Sequence, residues 1–172
     1  MVRGSPEPTL RVEILGSQHD SKSFSSGVEP LDRYFRTQAG QDARKHMAAP
    51  FVLMLPGGAI AGYYTLSATA VTLAKLPDDI VRRLPRYPLV TATLLGRLAI
   101  DQRFQGRGYG RFLLADALLR AARSEIASFA VIVDAKDEAA RRFYERESFL
   151  QFPDEPMKLF RPMADLVKLF ES

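Results

Sequence analysis

Three glycines at alternate positions, Gly106, Gly108 and Gly110, sit in the stretch QRFQGRGYGRFLL, with Arg107 and Arg111 among them. The nearly continuous apolar run TLLGRLAID (Thr93 to Asp101) leads into this stretch. A buried strand that ends in glycines and opens a helix leaves several backbone N–H groups unpaired, at the positive end of the helix dipole. Such a turn binds anions, phosphate above all. Glycines bring the backbone close to the ligand because no Cβ intervenes, and the two arginines add charge. The plain alternative is a tight strand–helix connection with solvated arginines, which rarely needs three glycines.

Two phosphate loops are disfavoured by spacing. A Walker loop ends in Gly-Lys-Ser/Thr, whereas Gly110 is followed by Arg111 and Phe112. The dinucleotide fingerprint reads G-x-G-x-x-G. Asp134 would be its ribose-binding acid, yet too little chain follows Asp134 to complete a doubly wound nucleotide domain.

The second reactive candidate is Tyr144, in ARRFYERESF. Helical spacing puts Ala140, Phe143 and Glu147 on one side, so Phe143 is the expected core residue and Tyr144 lies about 100° round from it. Tyr144 is then either a half-buried aromatic with its hydroxyl in water or a proton donor at the open end of the sheet.

The elements that must position these residues follow from periodicity. LRVEILG (Leu10 to Gly16) alternates like a strand, and Val28 to Met47 carries a helical stripe on a basic background. Two β-rich runs join around Gly57 and Gly58 as a hairpin. KLPDDIVRRLPRYP (Lys75 to Pro88) reads as a brief helix plus an extended surface loop. Thr93 to Asp101 is a central strand, and the helix after the glycines repeats Leu114, Leu118 and Ala121 on one face. FAVIVDA is a buried strand, Asp137 caps the Tyr144 helix, MKLFRPM is the last strand, and Ala164 to Phe170 a terminal helix. The expected order is β α β β (α) β α β α β, a mixed α/β sandwich.

Composition narrows the class. The chain has 172 residues, 47% hydrophobic and 26% charged, as expected of one soluble domain. With no cysteine and only His19 and His46, neither a disulfide framework nor a protein-only metal centre is expected. Residues 1–9 read as a flexible lead-in without a signal-peptide core, and no apolar run is long enough to span a membrane. The net charge of +4 is a mild bias toward polyanionic partners.

Gln105-Gly106-Arg107-Gly108-Tyr109-Gly110 matches the Q/R-x-x-G-x-G/A signature of the GNAT acetyltransferases, and the chain resembles that family. The resemblance implies an α/β fold: a single GNAT-like domain over 10–172, with a mixed central sheet flanked by helices. It implies acetyl-CoA as cofactor. Residues Gln105 to Arg111 would hold the pyrophosphate, and the main chain of Leu98, Ala99 and Ile100 the pantetheine arm. The family carries Y-x-x-x-G-F on the downstream helix, and its tyrosine often acts as the acid, which implies that role for Tyr144. A tyrosine of pKa near ~10 can protonate the departing thiolate of CoA, near ~8.5. Two positions depart from the pattern: Lys136-Asp137 replaces an asparagine, and Ser148 stands where a glycine precedes the phenylalanine.

Across nearly its whole length the chain also resembles the GNAT toxins of bacterial type II toxin–antitoxin modules (TacT/AtaT-like). GYYTLSATAV, LDRYFRTQAGQDARK and above all LPRYP leading into LLGRLAID carry this likeness. It implies transfer of acetyl to the α-amino group of aminoacyl-tRNA, which blocks translation. It implies a ribbon-helix-helix antitoxin, operator DNA contacted only through that complex with repression of transcription, a homodimer and a cytoplasmic location. An α-amine titrates near ~7.7–8.0, so no strong base is required, and the chain offers no obvious one. Arg36, Arg44, Lys45, Arg82, Arg83, Arg86 and Arg97 are the candidate tRNA-binding cations; singly, each also reads as a solvated surface charge. Two rival functions are acetylation of a small amine or protein N-terminus, and a non-catalytic CoA-binding module.

Overall fold

The computed structural model describes residues 10–171; the lead-in expected over 1–9 lies outside the described residues. The strands are β1 (Arg11–Ile14), β2 (Ala49–Met54), β3 (Ile60–Thr72), β4 (Leu89–Ile100), β5 (Ala130–Asp134), β6 (Leu150–Phe152) and β7 (Glu155–Pro162). They form one sheet in the order β1-β2-β3-β4-β5-β7-β6. β4 and β5 are parallel, with Thr93 opposite Val131 and Leu95 opposite Val133, while β1–β2, β5–β7 and β6–β7 are antiparallel. A parallel pair needs a crossover, here supplied by α4 (Tyr109–Ala122), whose Leu114, Leu118 and Ala121 are buried as expected. The other helices are α1 (Glu29–Thr37), α2 (Ala39–Arg44), α3 (Asp78–Val81), α5 (Glu138–Arg146) and α6 (Met163–Glu171).

The chain packs as two compact units. The first holds residues 10–65 together with Arg97–Asp116. Its core is aromatic, with Phe35 stacked on Tyr63 at 4.4 Å between centroids and Phe24 edge-on to Tyr63 at 5.5 Å. The second holds Leu66–Gly96 together with residues 117–171. Its core gathers Val71, Leu76, Ile80, Ala130, Ile132, Phe152 and Phe160.

Four details differ from the sequence reading. The single helix expected over 28–47 is two, broken at Gln38. Asp42 explains the break: its carboxylate accepts the Tyr34 hydroxyl at 2.8 Å and the Gln38 side-chain amide at 2.9 Å, which holds the second helix against the first. β4 begins at Leu89, four residues earlier than the apolar run. β6 is an additional strand whose three residues are too few to show an alternating pattern.

The fourth concerns α5. Asp137 caps it as expected, accepting the Ala140 N–H at 2.8 Å. At its other end Phe149 N–H donates to the Tyr144 carbonyl (3.1 Å) and Ser148 N–H to that of Glu145 (3.0 Å). These are the two bonds of a Schellman motif, with Ser148 in the left-handed conformation at φ +70°. The motif's hydrophobic contact joins Tyr144 to Phe149, ring centroids 5.4 Å apart. Tyr144 is therefore buried and Phe143 only partly so, the reverse of the expectation from helical spacing. Serine pays roughly 1 kcal/mol for this φ, which glycine does not. Ser148→Gly is expected to raise Tm by roughly 2–4 °C in thermal unfolding; a lowered Tm would show that the serine side chain stabilises the helix exit.

Candidate active site

The glycine turn is held by a carboxylate that the sequence reading did not single out. Asp101, 1% exposed, follows β4 and opens a short 3₁₀ turn over Gln102–Phe104. Its two oxygens accept the N–H groups of Ser25 (3.1 Å) and Arg103 (2.9 Å) and the Arg103 guanidinium at 3.0 and 3.2 Å. Gln102 N–H returns a bond to the Ser25 carbonyl at 2.8 Å. Next to it, Ser26 donates through backbone and hydroxyl to the buried Asp32 at 2.9 and 2.6 Å. The segment before α1 is thus clamped between two buried carboxylates. Burial pushes the Asp101 pKa up, but the hydrogen bonds from Arg103 and Ser25 outweigh it and leave the group below its ordinary value.

Gln105, expected among the cofactor contacts, spends its side-chain amide on the carbonyls of Ser26 and Ile100, both at 3.0 Å. It braces the turn from behind. Gly106 and Gly108 adopt φ +79° and +81°, and a Cβ on either would meet nothing within 4 Å. Space therefore lies open in front of both. The N–H groups of Gly106, Arg107, Gly108, Tyr109 and Gly110 donate to no protein acceptor among the described residues. The Gly108 carbonyl takes the Phe112 N–H at 3.1 Å as α4 begins. A cradle of free amides at the mouth of a 14-residue helix fits a pyrophosphate. Arg107 is exposed and lies 5.6 Å over the Phe104 ring, and Arg111 is exposed on the first turn of α4. Leu98, Ala99 and Ile100 continue β4 past Leu95, the last residue of its register with β5.

Tyr144 belongs to the other unit. Four tyrosines are buried among the described residues, and three donate: Tyr34 to Asp42, Tyr63 to the Leu31 carbonyl at 2.7 Å, and Tyr64 to Asp116 at 2.5 Å. The Tyr144 hydroxyl has no partner among the described residues, yet is not among the occluded polar atoms, so it reaches accessible space. Burial raises its pKa above the ordinary tyrosine value. The group is fully protonated at neutral pH.

The candidate cations divide between the units. Arg36, Arg44, Lys45 and Arg97 share the unit of the glycine turn; Arg82, Arg83 and Arg86 follow α3 in the unit of Tyr144, all exposed. Arg83 makes a loose i,i+4 pair with Asp79 at 3.8 Å, and Arg36 bonds the Asp32 carbonyl at 3.3 Å. His19 is occupied: its Nδ1 accepts the Gly16 N–H at 2.9 Å and its Nε2 meets Glu13 at 2.7 Å.

Residues 17–149 match the Acetyltransferase (GNAT) family. The chain belongs to this family. Its sequence is 36% identical over 153 residues to the tRNA-acetylating toxin of Mycobacterium tuberculosis, covering 88% of this chain and 90% of that protein. It is 26% identical over 163 residues to a probable toxin TacT of Sinorhizobium fredii, covering 89% and 90%. Among solved structures it is similar to AtaT complexed with acetyl-methionyl-tRNAfMet, with a TM-score of 0.86 and 29% identity over 94% of this chain and 99% of that one. A mutant AtaT bound to the C-terminus of the antitoxin AtaR and acetyl-CoA gives 0.78 and 26% over 95% and 99%. The KacTA–DNA complex gives 0.75 and 26%, over 95% and 99%.

In this GNAT chain Asp101 supports the turn through its charge. Asp101→Asn is expected to cost about 2–3 kcal/mol at neutral pH, because a buried charged acceptor is lost. A carboxylate whose pKa is lowered by folding contributes stability above its unfolded pKa and loses it as pH falls through the folded value. The stability gap between wild type and variant, read by urea unfolding, should stay level above about pH 5 and shrink below about pH 4. A gap that persists to pH 2 would mean that charge is not what holds the turn.

Proposed function

We propose that this protein transfers the acetyl group of acetyl-CoA to the α-amino group of aminoacyl-tRNA and so blocks translation. Two kinds of support combine. The open amide cradle at Gly106–Gly110 suits the cofactor's pyrophosphate, with Arg107 and Arg111 adding charge and Gln105 bracing the turn. The acceptor rests on likeness across most of the chain to the tRNA-acetylating toxin and to AtaT in complex with its acetylated tRNA.

The observation that carries the catalytic reading is the Tyr144 hydroxyl: desolvated, protonated, accessible and not engaged by any described residue. When bound, acetyl-CoA supplies the acetyl group and a thiolate leaving group with pKa near that of cysteine, about 8.5. Tyr144 holds the proton that this sulfur takes up. The attacking α-amine is substantially neutral near pH 7.7–8.0, so a strong general base is not required. The main chain of Leu98, Ala99 and Ile100, past the register with β5, lines the expected path of the pantetheine arm. Arg36, Arg44, Lys45, Arg82, Arg83, Arg86 and Arg97 supply the charge that a tRNA acceptor end requires.

The same likeness supports an antitoxin partner, of the ribbon-helix-helix type, and operator DNA reached through the toxin–antitoxin complex; AtaT binds AtaR and KacTA binds DNA. A homodimer and a cytoplasmic location belong to this reading. No helix among the described residues is long and apolar enough to cross a membrane.

Purified protein with acetyl-CoA and charged tRNA is expected to yield N-acetyl-aminoacyl-tRNA by mass spectrometry. Acetylation of polyamines but not of charged tRNA would overturn the acceptor. Tyr144→Phe should lower kcat about a hundredfold or more while leaving acetyl-CoA binding in place, and should relieve growth arrest on expression; full activity in this variant would remove the acid role. Gly108→Val puts a branched Cβ into the open cradle at a φ that valine resists, and should weaken acetyl-CoA binding about tenfold or more by calorimetry. Unchanged affinity would contradict the pyrophosphate assignment.

A further inference from the structure

Of the seven candidate cations, Arg97 alone lies flat on an aromatic ring. Its guanidinium carbon is 3.5 Å from the centroid of Tyr34. Tyr63 lies nearly parallel to that ring, with centroids 6.4 Å apart and an interplanar angle of 20°, and Phe35 stacks on Tyr63. The Tyr34 hydroxyl donates to Asp42, and the Gln38 amide holds the same carboxylate from its other oxygen. The platform is therefore held by its aromatic neighbours and by a hydrogen bond at its edge. Arg97 and Ala99 are two apart on β4 and share a face, and Ala99 is packed in the same aromatic core.

A guanidinium stacked through its face keeps its N–H groups in plane and directed outward. Among the described residues no carboxylate or carbonyl meets them, although Arg97 is only partly exposed. The nearby Asp42 carboxylate acts on Arg97 only through its charge, its two oxygens being engaged by Tyr34 and Gln38, so the donor edge of the guanidinium is left for an external anion. The planar fork matches two oxygens of a phosphodiester or a carboxylate. In aminoacyl-tRNA the amino acid is esterified and has no free carboxylate, so the anion nearest the reacting amine is the phosphodiester before the terminal adenosine. CoA's own phosphates belong with the glycine turn, beyond Ile100, and Arg97 lies about 10 Å back along the strand from Ile100.

We infer that Arg97, held flat on Tyr34, takes the phosphodiester next to the terminal adenosine of the charged tRNA and so positions the amine. This rests on the proposed aminoacyl-tRNA acceptor. A phosphate of CoA is the competing source of the same chemistry.

The test compares Arg97→Gln and Arg97→Lys with wild type on two acceptors: charged tRNA, and 3′-O-aminoacyladenosine, which has the same ester and amine but no phosphate. The ratio of kcat/KM for charged tRNA to that for the nucleoside should fall roughly tenfold in Arg97→Gln. The slope of log kcat/KM for charged tRNA against log salt should become shallower by about one. Arg97→Lys should keep the salt slope yet lose most of the ratio, because an ammonium has charge without the planar fork. An unaltered ratio, or equal loss on both acceptors, would overturn the inference. Weakened acetyl-CoA binding in calorimetry would assign the phosphate to CoA and overturn it equally. If wild type acetylates charged tRNA while the Arg97→Gln ratio is unchanged, only this inference fails. If wild type leaves charged tRNA untouched, the acceptor reading itself fails before any variant is compared.

Discussion

The Asp101 carboxylate is the constraint on which the glycine turn depends. It is buried and charged, and burial on that scale is tolerated only when every lone pair finds a donor. Ser25 and Arg103 supply those donors from segments that are remote and adjacent in sequence. Satisfying one charge therefore fixes three things together: the end of β4, the 3₁₀ turn, and the segment that precedes α1. Gln105 closes the arrangement by spanning from Ile100 to Ser26. The amides of Gly106 to Gly110 are then left with no protein acceptor among the described residues, which is the condition for holding an anion.

Two tyrosines illustrate how surroundings set chemistry. Tyr34 has its hydroxyl committed to Asp42, and burial followed by that bond pushes its pKa up to about 12. It serves as a rigid platform. Tyr144 is buried as deeply, but the Schellman motif at the end of α5 anchors its ring through Phe149 and leaves its hydroxyl unengaged by the described residues. The same side chain has its hydroxyl committed in one place and uncommitted among the described residues in the other. The difference is whether an acceptor stands within reach.

Much of the fold was legible because hydrophobic periodicity reports burial directly. The succession of β4, α4 and β5, the two β-rich runs joined around Gly57 and Gly58, and the cap at Asp137 follow from residue types a few positions apart. The misreadings share a physical origin in contacts that periodicity does not encode. α1 and α2 separate because Tyr34 and Gln38 reach Asp42 around the break. Tyr144 replaces Phe143 in the interior because the helix exit turns Phe149 back onto it. Asp101 and Ser25 are far apart in the chain, and no local signal marks either as a partner of the other.

The sequence by itself determined the glycine spacing, the strand before it and the tyrosine helix after it, since each is a local pattern of residue types over a few turns or pleats. That was enough to name the family and the cofactor class. Only the tertiary structure decided which charges are buried and paired, which tyrosine hydroxyl is unengaged, and which arginine is stacked with its N–H groups unmet among the described residues. Those properties depend on what lies within a few ångströms in space. Chain separation carries no information about that distance until the core has formed.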